Sequence, residues 1–171
     1  MNNRIMTRPS EVVRDFFQEL FAGLPEGEMG AVDRHLTPDV EMIVVGTTSP
    51  ELLQVLPWSG KHVGPEAVKK FFVVLLGRNV EVLNFGIDEI IELNESAALF
   101  GTLKIRARQT GTVIESEYAL RIKIRDDKIA RYHLFENSYH IATAFRVAGA
   151  WEVETAEEGR RTVPATDEGL T

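Results

Sequence analysis

The sequence contains no cysteine among its 171 residues. Without thiols the chain can form no disulfide, no thiolate nucleophile and no cysteine-ligated zinc site. It also lacks any apolar run near the roughly 20 residues that a helix needs to cross a bilayer. Residues 1–5 do not have the apolar core of a signal peptide. These absences predict a soluble, cytoplasmic protein that does not bind a membrane.

Positive charge is in deficit, since 19 Lys and Arg residues against 26 Asp and Glu residues give a formal net charge of −7. Nucleic-acid-binding domains usually carry a basic patch, so this balance argues against a nucleic-acid partner. The rest of the composition, with 44% hydrophobic and 26% charged residues, is that of an ordinary globular protein. A chain of this length favours one domain, which can bury enough surface to fold without a metal.

Helical periodicity is strongest near the start of the chain. Ser10 can cap a helix, and the apolar residues that follow recur at spacings of three and four, which places them on one helix face. They are Val12, Val13, Phe16, Phe17, Leu20, Phe21 and Leu24. Shorter helices are predicted over residues 29–36 and after Gly64-Pro65, where proline suits the first helical position. A last helix is predicted to start at Asn137 or Ser138.

Strand patterns occupy residues 40–45 and most of residues 80–136. Turn-forming pairs at Asn94-Glu95, Thr110-Gly111 and Asp126-Asp127 divide the second region into hairpin-linked strands. Helices on one face of an antiparallel sheet define the α+β class. The predicted element order is therefore α-α-β-α-β-β-β-β-α.

The strand over residues 113–125 alternates between apolar and charged side chains. Leu120 and Ile122 share one face, whereas Glu117 and Arg121 share the other. The apolar face must be covered by the helices. The charged outer face is either solvated or turned towards another subunit, and we expect a homodimer through this outer face of the sheet.

Composition divides the chain into three segments. We expect residues 1–9 to be a flexible lead-in, residues 10–149 to form the domain and residues 150–171 to form an acidic tail. The scarcity of large apolar residues after residue 150 favours a disordered tail. The alternative is an arm, anchored by Trp151, that lies on a partner subunit.

Local signatures of a known fold lie at residues 36–41, 57–60, 64–68, 124–132 and 135–137. Together they resemble the SnoaL-like branch of the nuclear transport factor 2-like superfamily, and the resemblance covers about residues 10–148. It implies a cone-like curved antiparallel sheet wrapped around helices, with a central pocket. Members of the superfamily include polyketide cyclases, ketosteroid isomerases, limonene-epoxide hydrolases, phenazine-biosynthesis A/B proteins and non-catalytic domains, so the fold alone does not choose a function.

The resemblance also shows where relatives place their catalytic groups. The positions of the ketosteroid isomerase base and its acidic donors fall at Val44, Phe16 and Leu120, and a pocket tyrosine position falls at Phe72. The acid of limonene-type epoxide hydrolases falls at Leu134. None of these side chains can transfer a proton, which argues against both mechanisms and implies an unusually apolar pocket.

The predicted last strand carries the best candidates for chemistry. Alternation places Tyr132, Leu134 and Glu136 on one face, with His133 and Phe135 on the other. A carboxyl beside apolar walls has a raised pKa, so Glu136 is the leading candidate for an acid or base. The alternative for Glu136 is a hydrated or ion-paired carboxylate at the rim. Tyr132 either orients a ligand oxygen or is a core aromatic residue.

Further candidates lie in the loop before Gly64. His62 is a possible general base, although the sequence shows no partner for it, and Trp58 either stacks on a flat ligand or plugs the core. His133, Glu136 and His140 do not suit a metal, because His133 and Glu136 face opposite sides of a strand. We expect no metal and no cofactor. The predicted ligand-binding residues are Phe16, Leu20, Met42, Val44, Trp58, Phe72, Tyr118, Leu120 and Leu134.

The leading hypothesis is a cofactor-independent enzyme that cyclises, isomerises or dehydrates an apolar polyketide-like or aromatic metabolite. Its pocket supplies shape and orientation, and Glu136 assists proton transfer. One alternative is a non-catalytic ligand-binding or accessory dimerisation domain. Another is a protein–protein module that uses the outer sheet face, which the charged alternation makes less attractive.

Overall fold

The computed structural model describes residues 7–46 and 49–164, and residues 1–6 of the predicted lead-in lie outside this range. The helices of these residues are α1 (Pro9–Gly23), α2 (Gly30–His35), α3 (Pro50–Val55), α4 (Pro65–Lys70) and α5 (Ser138–Thr143). Helices α1 and α2 precede the main sheet in the chain, α3 and α4 lie between its first three strands, and α5 follows it. Helix α4 continues directly into a π-helix, Phe71–Leu76. No helix among the described residues is long and apolar enough to cross a membrane.

The main sheet has the strand order β2-β1-β6-β5-β4-β3. Its strands are β1 (Leu36–Val44), β2 (Gly60–Val63), β3 (Val80–Leu93), β4 (Ser96–Ala107), β5 (Val113–Arg125) and β6 (Lys128–Glu136). All neighbouring strands pair antiparallel except β1 and β6, which are parallel. The register of β3 against β4 shifts twice, and such bulges bend a strand and increase its twist. The predicted α+β class with a curved sheet is confirmed.

The predicted breaks between strands are confirmed by the backbone. Asn94, Asp126 and Asp127 adopt positive φ values of 52°, 52° and 56°, a conformation that Asn and Asp tolerate in tight turns. Asn137 also caps α5, because its side chain accepts a hydrogen bond from the backbone of His140 at 3.1 Å. The end of β6, which holds Glu136, is therefore fixed between a strand and a capped helix.

Helix α1 covers the apolar face of the sheet, and its buried residues include Val13, Phe16 and Phe17. Its start differs from the prediction that Ser10 caps it, since the helix begins at Pro9. Ser10 instead donates its backbone N–H to Glu92 of β3 at 2.9 Å. Hydrogen bonds from Ser10 lower the pKa of the Glu92 carboxyl to about 2. Ser10 therefore holds α1 against the edge of the sheet rather than capping the start of the helix.

The segment predicted as an acidic tail is ordered over residues 150–164. Strands β7 (Ala150–Thr155) and β8 (Gly159–Pro164) form a separate hairpin, so the interpretation as disorder is wrong for these residues. Arg160 forms an ion pair with Glu152 at 2.7 Å across the hairpin. The Trp151 ring packs edge-on against Tyr139 of α5 at 5.0 Å. In the sequence, Trp151 and Val153 alternate with charged residues, a pattern that is typical of a strand.

The irregular segment before Gly64 also contains more structure than expected. Helix α3 and the four-residue strand β2 both lie there, and β2 pairs with β1. Such short elements have too few residues to show a period. They place Trp58 and Leu56, both buried, at the base of the core.

Candidate functional site

A cavity of about 60 Å³ lies between the helices and the inner face of the sheet. Aromatic and aliphatic side chains make up nearly all of its wall, which also includes Tyr132 and Glu136. The lining residues are Phe17, Phe21, Leu24, Val44, Trp58, Phe71, Phe72, Leu76, Val80, Val82, Phe85, Leu103, Ile105, Tyr132, Leu134, Glu136 and Ile141. One buried water needs roughly 10–15 Å³, so the cavity has room for only a few ligand atoms.

The cavity adjoins a larger open groove of about 840 Å³. Phe21, Leu24, Phe72 and Phe85 are among the residues that line both spaces. Small-molecule sites commonly have volumes of roughly 300–1,000 Å³. The groove can therefore hold the body of a small organic ligand, while the cavity accepts only its innermost end.

Glu136 is the last residue of β6 and pairs with Tyr118 of β5. Its Oε1 atom is buried and has no hydrogen-bond partner within the described structure. Burial disfavours the charged carboxylate and raises the pKa of Glu136 to about 7. Near neutral pH this carboxyl is therefore present in both its acidic and its basic form.

The tyrosine candidates have different surroundings. Tyr132 lines the cavity two residues before Leu134, on the same face of β6. Its ring centroid lies 6.1 Å from that of Phe17. Burial raises the pKa of its hydroxyl, so Tyr132 stays protonated and can donate but not act as a base. Tyr118 does not line the cavity, and its hydroxyl donates to the backbone oxygen of Gly86 at 2.9 Å. Its predicted ligand contact is thus replaced by a structural hydrogen bond.

His62 lies outside the cavity lining. Its Nε2 atom is 2.8 Å from the backbone oxygen of Trp58, and its ring packs at 5.2 Å from Phe71. The hydrogen bond orients the loop that carries Trp58, which does line the cavity and is 3% exposed. The geometry gives His62 a role in positioning Trp58 and does not bring it to the site as a base.

The predicted lining residues divide into two groups. Val44, Trp58, Phe72 and Leu134 line the cavity together with Glu136 and Tyr132. The others are buried in the core without reaching the cavity, and they are Phe16, Leu20, Met42, Tyr118 and Leu120.

The α1 residues that face the cavity are one position away from those predicted. Phe17 and Phe21 of α1 line it together with Leu24, which directly follows the helix, and the spacing of four and three residues keeps the three side chains on one side. Phe16 instead packs edge-on against His35 of α2, with ring centroids 6.2 Å apart. All of these residues belong to the apolar stripe seen in the sequence, but the stripe is wider than the cavity.

No group of three or more His, Asp or Glu side chains in residues 7–46 and 49–164 is arranged to hold a metal ion. His140, one of the side chains that suggested a metal, lies within 3.2 Å of the backbone oxygen of Glu115. The chemistry of the cavity therefore rests on the carboxyl of Glu136 and the hydroxyl of Tyr132.

Replacing Glu136 by Gln is expected to stabilise the protein at alkaline pH. The folded state holds a proton on Glu136 up to about pH 7, whereas the unfolded chain releases it near 4.5. Ionisation therefore makes the wild type less stable as pH rises through this window, and the cost is complete above it. At 1.36 kcal/mol per pKa unit, the advantage of the variant grows by roughly 3 kcal/mol between pH 4 and pH 8.

Urea denaturation at both pH values measures this difference. Glu95→Gln is the matched control, because Glu95 is exposed in the turn between β3 and β4. A stability difference that is the same at pH 4 and pH 8 would contradict a buried, unpaired Glu136.

Solved structures with the same fold include several NTF2-like proteins. One from Burkholderia xenovorans LB400 has a TM-score of 0.67 at 20% identity, covering 82% of this chain and 99% of its own. One from Burkholderia thailandensis E264 has a TM-score of 0.67 at 18% identity, covering 83% and 100%. TerC, co-crystallized with polyporic acid, has a TM-score of 0.63 at 19% identity, covering 81% and 98%. At these identities the likeness shows the fold alone.

The sequence itself also identifies a family. A search of curated proteins finds no significant match. The model of the SnoaL-like domain, in contrast, matches residues 13–132, which include most of α1, all of β1 and most of the sheet. The resemblance carried by the local signatures is thereby confirmed, and the chain belongs to the SnoaL-like domain family.

Proposed function

We propose that this protein is a cofactor-independent enzyme that moves a proton on an apolar, ring-containing metabolite, with Glu136 as the acid–base group. The observation that carries the proposal is the unpaired, buried Oε1 of Glu136 in an apolar cavity. Buried carboxyls without a partner are rare in folded proteins, because they make the protein less stable. A pKa near the working pH is what general acid–base catalysis requires.

The aromatic side chains that line the cavity favour a flat substrate. Phe17 lies 4.8 Å from Phe85 and 5.9 Å from Phe21, measured between ring centroids, and all three line the cavity. Aromatic rings pack well against such edges and faces. TerC, which shares the fold, was co-crystallized with polyporic acid, and this supports a small organic ligand for the present chain.

The reaction would begin when the Glu136 carboxylate removes a proton from a carbon atom of the bound ring. The Tyr132 hydroxyl, which stays protonated, can donate a hydrogen bond to an oxygen on which negative charge develops. The Glu136 carboxyl then returns the proton at another atom. Cyclisation, isomerisation and dehydration of a ring compound all include such steps, so the geometry supports this group of reactions as a whole.

A model substrate tests the proposal without knowledge of the natural one. The apolar bicyclic compound 5-nitrobenzisoxazole opens when a base removes the proton from its carbon 3, its N–O bond breaks and a coloured phenolate forms. Wild-type protein is expected to accelerate this reaction, and Glu136→Gln is expected to lose the acceleration. Equal rates would favour the alternative, in which the pocket binds a ligand without chemistry.

The outer face of the sheet supports the proposed homodimer. Along β5 its side chains run Glu115, Glu117, Ala119, Arg121 and Lys123, so that two acidic residues and two basic residues lie on either side of Ala119. A two-fold axis through Ala119 would place Glu117 opposite Arg121 of a second copy, and Glu115 opposite Lys123. Such self-complementarity is what a two-fold interface requires.

Apolar side chains lie at the centre of this pattern. Ala119 pairs with Phe100 of β4 and with Phe135 of β6. The two phenylalanines are 42% and 47% exposed, and burial of a central aromatic pair is typical of an interface core. A cytoplasmic location and an arm formed by the β7–β8 hairpin on the second copy stay predictions.

A further inference from the structure

The rim of the open groove carries a basic side chain, Arg108, just beyond the end of β4. Its Nε donates to the backbone oxygen of Gly77 at 2.9 Å, and its backbone N–H donates to that of Asn79 at 2.9 Å. These bonds fix the side chain at the end of the π-helix. No carboxylate in the described part of the chain forms an ion pair with Arg108, so its charge is open to a ligand in the groove.

The other charged side chains of the groove are Glu26 and Glu81. Glu81 is neutralised by Arg106, whose Nη1 lies 2.7 Å from its Oε2. Arg106 lies within β4, two residues before Arg108, and is paired, whereas Arg108 has no carboxylate partner among the described residues. The groove thus combines the aromatic and aliphatic side chains that it shares with the cavity, an arginine without an ion pair among the described residues, and one exposed carboxylate, Glu26.

The inner cavity disfavours an anionic group, whereas the arginine of the groove favours one. Its lining is apolar apart from Glu136, Tyr132 and the indole of Trp58, and an anionic group would be strongly disfavoured there because it would lose its hydration beside a carboxyl. A ligand with an uncharged ring at one end and an anionic group at the other can therefore enter in one direction only. The charged end stays at the rim, where a guanidinium can bind it through two N–H groups.

We infer that the ligand is a flat apolar ring compound with a single anionic group, and that Arg108 holds this group at the rim of the groove. The uncharged end then points into the cavity towards Glu136. The statement about Glu136 rests on the proposed function, whereas the binding of the anion by Arg108 does not. Arg108 is in this account a specificity-determining residue, because it decides which end of the ligand reaches the cavity.

A matched pair of fluorescent probes tests this inference. 8-Anilinonaphthalene-1-sulfonate carries one negative charge, and N-phenyl-1-naphthylamine has the same ring system without it. Arg108→Gln is expected to weaken the affinity for the sulfonate probe about five- to tenfold, which is the contribution of a charged hydrogen bond at a partly exposed site. The affinity for the uncharged probe is expected to stay the same. Raising the salt concentration should lower the affinity for the sulfonate probe and leave the affinity for the uncharged probe unchanged.

Two further variants make the result specific. Lys104→Gln removes one positive charge from β4, four residues before Arg108, but Lys104 pairs with Glu115 on the outer face at 3.8 Å. The affinity for both probes should therefore stay the same. Arg108→Lys restores the charge without the planar fork, and is expected to recover part of the sulfonate affinity.

Two outcomes would overturn the inference. One is a sulfonate affinity that Arg108→Gln leaves unchanged, which would place the anion elsewhere. The other is an equal loss of both probes, which would show a change in groove shape rather than in charge. The proposed function is tested separately, since its experiment follows proton transfer to Glu136, whereas this one follows the difference in affinity between two probes when the charge of Arg108 is removed.

Discussion

Glu136→Gln is expected to slow the ring opening of 5-nitrobenzisoxazole by at least about a hundredfold, the lower end of what a positioned base contributes. The physical reason is that Gln matches the size of Glu but cannot accept a proton. The base is also strong for a carboxylate, because burial raises its pKa to about 7. The rate is measured from the absorbance of the phenolate product.

The pH dependence adds a signature that a merely structural role would not give. The wild-type rate is expected to rise with pH and to level off above the pKa of Glu136, with a midpoint near 7. Glu95→Gln, which changes an exposed carboxyl in the turn between β3 and β4, should leave both rate and profile as they are. A wild-type rate equal to that of Glu136→Gln across this range would contradict the role of Glu136 as a base.

Reversal of one charge on the outer sheet face is expected to separate the proposed dimer into monomers. Arg121→Glu would place a carboxylate opposite Glu117 at two symmetry-related points, and like charges facing each other at an interface cost several kcal/mol. The dissociation constant should therefore rise by at least about a hundredfold. Light scattering coupled to size-exclusion chromatography measures the mass as a function of concentration.

The reciprocal exchange is the decisive comparison. Glu117→Arg alone should also dissociate the dimer, whereas the double variant with Arg121→Glu restores opposite charges and should dimerise again. Arg78→Glu is the control, because Arg78 is an exposed residue in the turn before β3. A wild type that is monomeric at every concentration, or a double variant that stays monomeric, would show that the two-fold axis does not pass through Ala119.

The long strands were predictable because each is bounded by a turn whose residues suit positive φ. Asn94 lies between the end of β3 and the start of β4, and Asp126-Asp127 lies between the end of β5 and the start of β6. The alternation of β6 then fixed which side chains share a face, since a strand has a period of two residues. Glu136 could be selected as a candidate from this pattern alone.

The helical part of the site was less predictable. Each residue turns a helix by about 100°, so an apolar stripe identifies a buried face but not which residue points into a cavity. Phe16 and Phe17 are both buried, and only Phe17 lines the cavity. A strand pattern has a comparable limit at His62 in β2. Alternation with its neighbours does not reveal that its ring forms a hydrogen bond with the backbone oxygen of Trp58.

The C-terminal hairpin shows how composition can mislead. The charged residues after position 150 suggested disorder, but Glu152 and Arg160 pair across the two strands. Such pairing depends on register, which a count of charges does not contain. Arg108 was likewise unremarkable in the sequence, because nothing there placed it at a groove formed by α1, the π-helix and β3.

Titration of the Glu136 carboxyl carbon by nuclear magnetic resonance, in protein labelled with carbon-13 at glutamate side chains, tests the central claim most directly. Glu136→Gln identifies the signal by its loss. A midpoint near pH 7 is the predicted result, since it reports a carboxyl whose Oε1 is buried without a partner in an apolar cavity. A midpoint near the ordinary value of 4.5 would show a hydrated or ion-paired carboxylate and would contradict the account.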